Sequence, residues 1–238
     1  MSTESGLPTS DVAFSPAVKA EQARRGSRTA YARMETTRGW ARAITPELQR
    51  EIEAQTSVFL ATASADGQPY VQHRGGAPGF LRVLDERTLA FVEYDGNRQY
   101  ITQGNLSENP RAQLFLIDYR QRRRIKIWGR ARVINASADA RLATPASAGT
   151  AESAQQAIVF EVTAWDLNCP RHIPQRFDAA EVQAALLQRD QRIAELEAQL
   201  ARVRRAGRVD DAPARAADSA RNGRAGASVT LQGKRGEP

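Results

Sequence analysis

The sequence predicts a mainly β fold, a closed or partly closed antiparallel barrel with flanking helices. Six short segments rich in β-branched and aromatic residues follow one another from Ser57, within about eighty residues. Turn signals such as the Asp-Gly of ADGQP separate these segments into pairs, as in hairpins. The helical crossovers that a parallel sheet needs are missing between them. These observations favour an antiparallel barrel over a doubly wound fold.

Two helical regions precede the strands. Residues 15–35 begin with Ser-Pro and are rich in alanine and charged residues, which predicts a short helix or a pair of helices interrupted near Gly26. Thr45–Gln55 has a threonine N-cap followed by proline, with Leu48 and Ile52 on one helical face. We therefore expect residues 1–44 to form an arm with short helices and residues 45–177 to form the barrel domain.

The predicted strands form three hairpins. SVFLATAS is expected to pair with PYVQHR, FLRVLD with TLAFVEY, and AQLFLIDY with RIKIWGRARVI. The stretch NRQYITQGNLSENPRA, between the fourth and fifth strands, has the Asn start and Pro stop of a short helix. A last strand, AIVFEVTAWDL, follows residues 136–156, whose Ala/Ser/Thr-rich composition indicates a loop.

Residues 178–203 predict an amphipathic helix. Leu186, Ile193 and Leu200 are seven apart, Leu196 and Val203 fill the intermediate position, and Arg189 interrupts the pattern. Both a helix packed on its own domain or on a sister subunit and a free-standing coiled coil are compatible with so few heptads. Residues 204–238, rich in Gly, Ala and Arg, predict a disordered basic tail.

The net charge of +7 lies at the two ends of the chain, because residues 51–203 carry eighteen basic and eighteen acidic side chains. This distribution favours a solvated tail over a specific nucleic-acid module, although nucleic-acid binding through 204–238 and the arginines at 122–124 stays open as an alternative. No apolar run is long enough to span a membrane, and we expect a soluble, cytoplasmic protein.

The single cysteine, Cys169, excludes an intramolecular disulfide. It stands at a Cys-x-x-His spacing with His172, which could supply two metal ligands. We expect no metal site, because no other cysteine and only one other histidine, His73, are available to complete tetrahedral coordination.

The stretch QHRGG ends a predicted strand and combines cationic side chains with a bare backbone. Strand alternation directs Gln72 and Arg74 to one face and His73 to the other. Gly75 and Gly76 would let a phosphate or planar ring approach the main chain, or would mark a β-bulge.

Two further stretches add candidate ligands for an anion. Asn97, Arg98 and Gln99 precede the predicted short helix, where a guanidinium and helix N-terminal amides together hold phosphate well; an ordinary capping turn is the alternative. Lys126 alternates with Ile125 and Ile127 in RRRIKIWG, so its side chain either points to solvent or reaches into a ligand pocket.

FLATASADGQPYVQHRGG, LAFVEYDGNRQYITQGNLSENPRAQLFLID and RRRIKIWGRARV, taken in this order, resemble the flavin-mononucleotide-binding split-barrel family of the pyridoxamine 5′-phosphate oxidases. AWDLNCPRHIPQRF resembles the end of a bacterial subgroup of that family with mostly unassigned substrates. The resemblance implies a six-stranded split barrel, and a homodimer with one flavin mononucleotide (FMN) in each of two clefts between the subunits.

The resemblance also implies which residues bind the cofactor. Residues 72–76 would lie along the flavin. Arg98-Gln99 stands where the oxidases have an Arg-Lys phosphate pair, Arg74 could replace the missing cation, and Arg124 replaces a glutamine. The implied cofactor-binding set is Gln72, His73, Arg74, Gly75, Gly76, Asn97, Arg98, Gln99, Arg124 and Lys126.

The implied function is that of an oxidoreductase transferring hydride or electrons between FMN and an unidentified small molecule, with most of the chemistry supplied by the cofactor. No catalytic residue is assigned. The alternative is a flavin- or haem-binding sensor or storage protein without turnover, because one fold hosts both kinds of function.

Overall fold

The computed structural model describes residues 8–94, 96–142, 156–168 and 170–210. The chain divides into two units, Met1–Arg176 and Phe177–Pro238. The first unit contains the sheet and the shorter helices, and the second contains one long helix.

The helices of the first unit are α1 Pro16–Arg24, α2 Arg28–Thr37, α3 Pro46–Glu53 and α4 Ile101–Glu108, with 3-10 turns at Thr9–Val12, Ala136–Ala138 and Ala140–Leu142. Two of them, α1 and α3, begin where the sequence signals predict, whereas α4 begins at Ile101, four residues after the predicted Asn start. Ser15 and Thr45 cap α1 and α3 by accepting the backbone N–H of Val18 and Leu48, and proline follows each cap. Gly26, with φ +78°, separates the first two helices, as expected.

The strands form one antiparallel sheet in the order β2-β1-β5-β6-β7-β4-β3. The three predicted hairpins are confirmed as β1/β2, β3/β4 and β5/β6. The strands are β1 Ser57–Ala63, β2 Pro69–Gly75, β3 Arg82–Asp85, β4 Thr88–Glu93, β5 Arg111–Asp118, β6 Arg123–Asn135 and β7 Gln156–Asn168.

The mainly β class with flanking helices and the predicted last strand are confirmed, whereas the predicted barrel of six strands is wrong, because the sheet has seven. The last strand, β7, is a full member of the sheet because it pairs with β6 on one side and with β4 on the other. Among the described residues, no backbone ladder joins β2 to β3, so the sheet has two ends and is not closed.

The core lies on one face of this curved sheet, which we call the inner face. Val58 and Leu60 of β1 and Ile127 of β6 are fully buried there, and α3 adds Leu48 and Ile52. The alternate residues of these strands are only partly buried and form the outer face.

The N-terminal arm packs against β6 and β7. The rings of Trp40 and Trp128 are stacked, with centroids 4.5 Å apart and planes 9° apart. Trp165 donates its backbone N–H to the carbonyl of Ala41 at 2.9 Å and its indole N–H to that of Ala43, also at 2.9 Å. The chain that enters α3 is thereby fixed to the sheet.

The second unit contains α5, Ala179–Asp210. The predicted helix over 178–203 is confirmed and extends seven residues further, so residues 204–210 are helical and do not begin a tail. The rest of the predicted tail, 211–238, lies outside the described residues. Within the described ranges, no helix combines the length and apolar character that crossing a bilayer requires.

Candidate functional site

The predicted site residues lie on both faces of the sheet. Directly paired residues of antiparallel strands point to the same face. Arg74 pairs with Val58, which is fully buried, so its side chain starts on the inner face. Lys126 pairs with Phe115, and Phe115 pairs with Phe59, the neighbour of Val58. Lys126 therefore lies on the outer face, and one chain does not bring Arg74 and Lys126 together.

Arg74 is held by an acidic partner. Its Nε donates to Glu93 Oε1 at 2.6 Å and its Nη2 to Glu93 Oε2 at 3.0 Å. The two side chains are 19% and 11% exposed, so the pair is largely removed from water. Nη2 also lies 3.5 Å from the hydroxyl of Thr102 in the first turn of α4. Since Glu93 neutralises Arg74, Arg74 is a weaker candidate for the missing phosphate cation than the sequence indicated.

Gln72 and His73 alternate between the faces as predicted. Gln72 pairs with the buried Leu60, and its side-chain oxygen accepts a hydrogen bond from the hydroxyl of Tyr70. His73 lies on the outer face, where its Nε2 is 2.8 Å from Ser57 Oγ and its ring packs edge-on against Phe59 at 5.6 Å between centroids.

The two glycines are packed against their own chain. A Cβ on Gly76 would lie 2.6 Å from Cβ of Phe80, and one on Gly75 would lie 3.0 Å from the carbonyl oxygen of Thr56. Gly76 also donates its N–H to that carbonyl at 3.1 Å. The chain therefore favours glycine at these two positions because it turns tightly from β2 towards Phe80, and no ligand is needed to explain them.

The segment before α4 has an alternating backbone. Arg98 and Tyr100 have φ of +57° and +52°, and Gln99 between them is not in the left-handed region. Gln99 donates its N–H to the side-chain oxygen of Asn97 at 3.2 Å. Turns that contain left-handed residues can direct successive amides to one side, as in an anion-binding nest. The predicted capping turn and the predicted anion site are both compatible with this turn at the N-terminus of α4.

The outer face carries the second group of predicted residues. Lys126 lies directly opposite Asp166 of β7, and its Nζ is 6.0 Å from the ring centroid of Trp128. Burial raises the pKa of Asp166, an effect that Lys126 and Arg38 partly offset. Lys126 is half-buried. Its side chain therefore neither points fully to solvent nor lies fully in a pocket, the two alternatives that the sequence left open.

Arg124 adjoins this group, two residues along β6 from Lys126. Its Nε is buried and has no hydrogen-bond partner in the described part of the chain. An unsatisfied buried donor costs about 1–3 kcal/mol. The chain itself covers this atom, so Arg124 is held against the sheet by packing.

The predicted Cys169-x-x-His172 pair falls partly outside the described residues, because Cys169 is not among them. Among the residues that are described, no group of three or more His, Cys, Asp or Glu side chains could hold a metal ion.

A protein-family model described as pyridoxamine 5′-phosphate oxidase matches residues 44–169, more than half of the chain. The chain belongs to the pyridoxamine 5′-phosphate oxidase family. The matched range starts just before α3 and ends after β7, so it covers the sheet and leaves out the arm and α5.

The chain also has some similarity to solved structures. A putative pyridoxamine 5′-phosphate oxidase from Lactobacillus delbrueckii is 22% identical, covering 53% of this chain and 95% of its own, with a TM-score of 0.40. HupZ from Group A Streptococcus is 15% identical, with coverages of 56% and 99% and a TM-score of 0.41. No curated protein matches the chain.

Sequence reasoning missed three residues of this candidate site. Glu93, Thr102 and Asp166 contact or oppose predicted residues, yet none belongs to a cationic or glycine-rich stretch. An acidic residue at the end of a predicted strand, as in FVEY, was the one available signal for Glu93. The pairing of β6 with β7, which sets Asp166 opposite Lys126, is long-range and has no local signature.

Proposed function

We propose that the protein is an FMN-dependent oxidoreductase that acts as a homodimer on a small molecule. Membership of the oxidase family supports the cofactor class. The observation that carries the proposal is that Arg124 and Lys126 stand side by side on the outer face of β6 within the family-matched residues, where their cationic side chains can donate hydrogen bonds. A flavin ring offers carbonyl oxygens and ring nitrogens that accept such hydrogen bonds.

The residues fit the phosphate end of FMN through the turn at Asn97–Tyr100. Its left-handed residues, Arg98 and Tyr100, make a turn of the kind whose amides bind anions, and α4 adds the favourable potential of a helix N-terminus. In this proposal Arg98 donates to phosphate oxygens. Arg74, bound to Glu93, acts as a positioning residue that ties β2 to the first turn of α4 through Thr102.

The proposal uses two copies because Arg74, which ties β2 to the start of α4 through Thr102, and the outer-face cations lie on opposite faces of the sheet. In a homodimer with a cleft between subunits, the Arg98 turn of one copy and Arg124 and Lys126 of the second would contact one FMN. The exposed apolar side chain of Val71 on the outer face agrees with such a contact, since it is 60% exposed.

Bound FMN would supply the capacity to accept hydride or electrons from one molecule and pass them to another. The chain's own contribution is to bind and orient it: Arg98 and the turn amides hold the phosphate, while Arg124 and Lys126 place positive charge beside the ring. Positive charge there favours the reduced ring over the oxidised one.

Fluorescence titration of the purified protein with FMN and with riboflavin tests the two contacts separately. Arg98→Gln should weaken FMN binding by about 10- to 100-fold, because a charge-assisted hydrogen bond is lost, and should leave riboflavin binding nearly unchanged. Arg124→Leu should weaken both ligands alike, because it contacts the ring. Arg130→Leu, on an exposed position of the same strand, is the matched control.

Coexpression of Arg98→Gln and Arg124→Leu chains tests the shared cleft. Random pairing leaves about one quarter of the clefts with both native residues, and these should bind FMN with native affinity. Protein that never binds FMN would refute the proposal, and recovery of no tight sites in the mixture would refute the shared cleft. Bleaching of bound flavin by NADH or NADPH, followed by reoxidation with a small-molecule acceptor, would establish turnover; tight binding without reduction by any donor would indicate a storage or sensor role.

A further inference from the structure

Helix α5 carries a stripe of large, exposed apolar side chains. All are between 44% and 68% exposed, values far above those of the sheet core. They are Val182, Leu186, Leu187, Ile193, Leu196, Leu200 and Val203.

The stripe is too narrow for a helix that packs on a globular domain. Leu186, Ile193 and Leu200 occupy heptad position a, and Val182, Leu196 and Val203 occupy position d. Of the seven exposed apolar residues, only Leu187 lies off this seam. Helices that pack on a globular core present a wider apolar face, about three positions in seven, whereas an a/d seam with a period of 3.5 residues is typical of coiled coils.

The charges beside the seam favour a parallel pair. In a parallel coiled coil, a g residue faces the e residue of the following heptad on the other helix. Arg192 at g would then face Glu197 of the second copy at e, and twofold symmetry makes this contact twice. An antiparallel pair centred on Ile193 and Leu196 would instead set Asp190 against Glu197, two like charges.

Arg189 occupies one d position and adjoins Asp190 at e. In a parallel pair an e residue of one helix flanks the d layer of the other, so Asp190 of the second copy would lie beside Arg189. The two Arg189 side chains would share one d layer at a cost in stability, and a polar residue at a single seam position is known to specify register in such pairs.

We propose that α5 forms a parallel, in-register coiled coil with α5 of a second copy of this chain. The proposal is independent of flavin binding and adds a contact outside the family-matched residues 44–169. The apolar stripe of one α5 would thus pack against the same stripe of α5 in the second copy.

Oxidative crosslinking of the full chain tests both the pairing and its direction. In a Cys169→Ser background, Val203→Cys places a thiol on the seam near one end of the apolar stripe, and Ala198→Cys places one at position f on the opposite side. The parallel pair should crosslink through position 203 and not through 198. An absence of crosslinked dimer at 203, as expected of an antiparallel pair or of a helix packed on its own domain, overturns the proposal, and so do equal rates at both positions.

Charge exchange provides a second measurement. With Val203→Cys present, either Arg192→Glu or Glu197→Arg should slow crosslinking on the order of fivefold, since each replaces two attractive contacts by repulsive ones. A mixture of the two variants should restore the rate in mixed dimers. Arg202→Glu, the same change of charge at position c, should have no effect. If the mixture crosslinks no faster than either variant alone, the parallel register is contradicted.

Discussion

Arg74 and Glu93 join opposite ends of the sheet. β2 is the first strand in the hydrogen-bonded order and β4 is next to last, yet Arg74 Nε lies 2.6 Å from Glu93 Oε1. Side chains therefore bridge a gap that no backbone ladder closes within the described residues. The curved sheet approaches a barrel whose two ends are held by an ion pair.

Glu93→Gln is expected to lower the free energy of unfolding by about 3 kcal/mol, because it leaves the largely buried charge of Arg74 uncompensated. Urea titration measures this loss. Glu47→Gln is the control, since Glu47 and Arg50 form a pair in which both side chains are 71% exposed, and water screens their attraction so that its removal should barely change stability. Equal losses in the two variants would contradict the bridging role of Arg74–Glu93.

Gly129→Ala is expected to destabilise the protein by about 3 kcal/mol through overpacking. Its Cβ would lie 2.1 Å from the carbonyl oxygen of Glu161 and 2.4 Å from Phe160 Cε1, at the register shift between β6 and β7. Gly104→Ala in α4 has open space around its Cβ and should instead stabilise the protein by up to about 1 kcal/mol. Thermal unfolding of both variants distinguishes a steric cause from a general intolerance of the added methyl group.

Thr45→Ala should cost about 1 kcal/mol because Thr45 Oγ1 accepts the N–H of Leu48 at the start of α3. Ser27 precedes α2 in the equivalent place but makes no capping hydrogen bond. Ser27→Ala should therefore stay within about 0.5 kcal/mol of the native protein in chemical denaturation. A loss at Ser27 as large as that at Thr45 would argue against capping as the cause.

Asp166→Asn should change the pH dependence of stability. Burial raises the pKa of Asp166 above its usual 3.8, so the folded state binds the proton more tightly than the unfolded state. The native protein consequently loses stability relative to the variant as pH rises from 3.8 through the raised folded pKa, and the difference then stays constant. We expect Asp166→Asn to be more stable at neutral pH by less than about 1 kcal/mol, and the two proteins to converge in acid.

Asp139→Asn is the control of opposite sign. Arg141 lowers the pKa of Asp139, so this carboxylate stabilises the folded state above its usual pKa of 3.8 and loses that contribution as pH falls through the lowered folded value. Its replacement should lower stability at neutral pH and have no effect in strong acid. Unfolding curves measured from acid to neutral pH test both variants. If their stabilities change with pH in the same direction, the raised pKa of Asp166 is disproved.

Local signals in the sequence predict the hairpins and α3 correctly. Thr45 followed by Pro46 specifies a helix start, and an Asp-Gly turn with alternating neighbours specifies a hairpin, because each involves residues close in the chain. The two-sided pairing of β7 has no such signal: its contacts with β4 and β6 depend on the path of the whole chain.

In the candidate site, too, local features could be predicted from the sequence and long-range contacts could not. The alternation of Gln72, His73 and Arg74 follows from strand geometry alone and is confirmed. The partner of Arg74 is Glu93, nineteen residues away in another hairpin, and only the curvature of the sheet brings the two together. The adjacent glycines suggested a ligand, whereas Phe80 fills the space beside Gly76.

The stacking of Trp40 on Trp128 makes the protein's intrinsic fluorescence a local reporter. The chain has three tryptophans, and the third, Trp165, binds the carbonyl of Ala43 through its indole N–H. All three indoles lie where the arm meets β6 and β7. Ultraviolet emission will therefore follow detachment of the first forty-odd residues, and a titration monitored only by that signal can record release of the arm while the sheet beneath it stays folded.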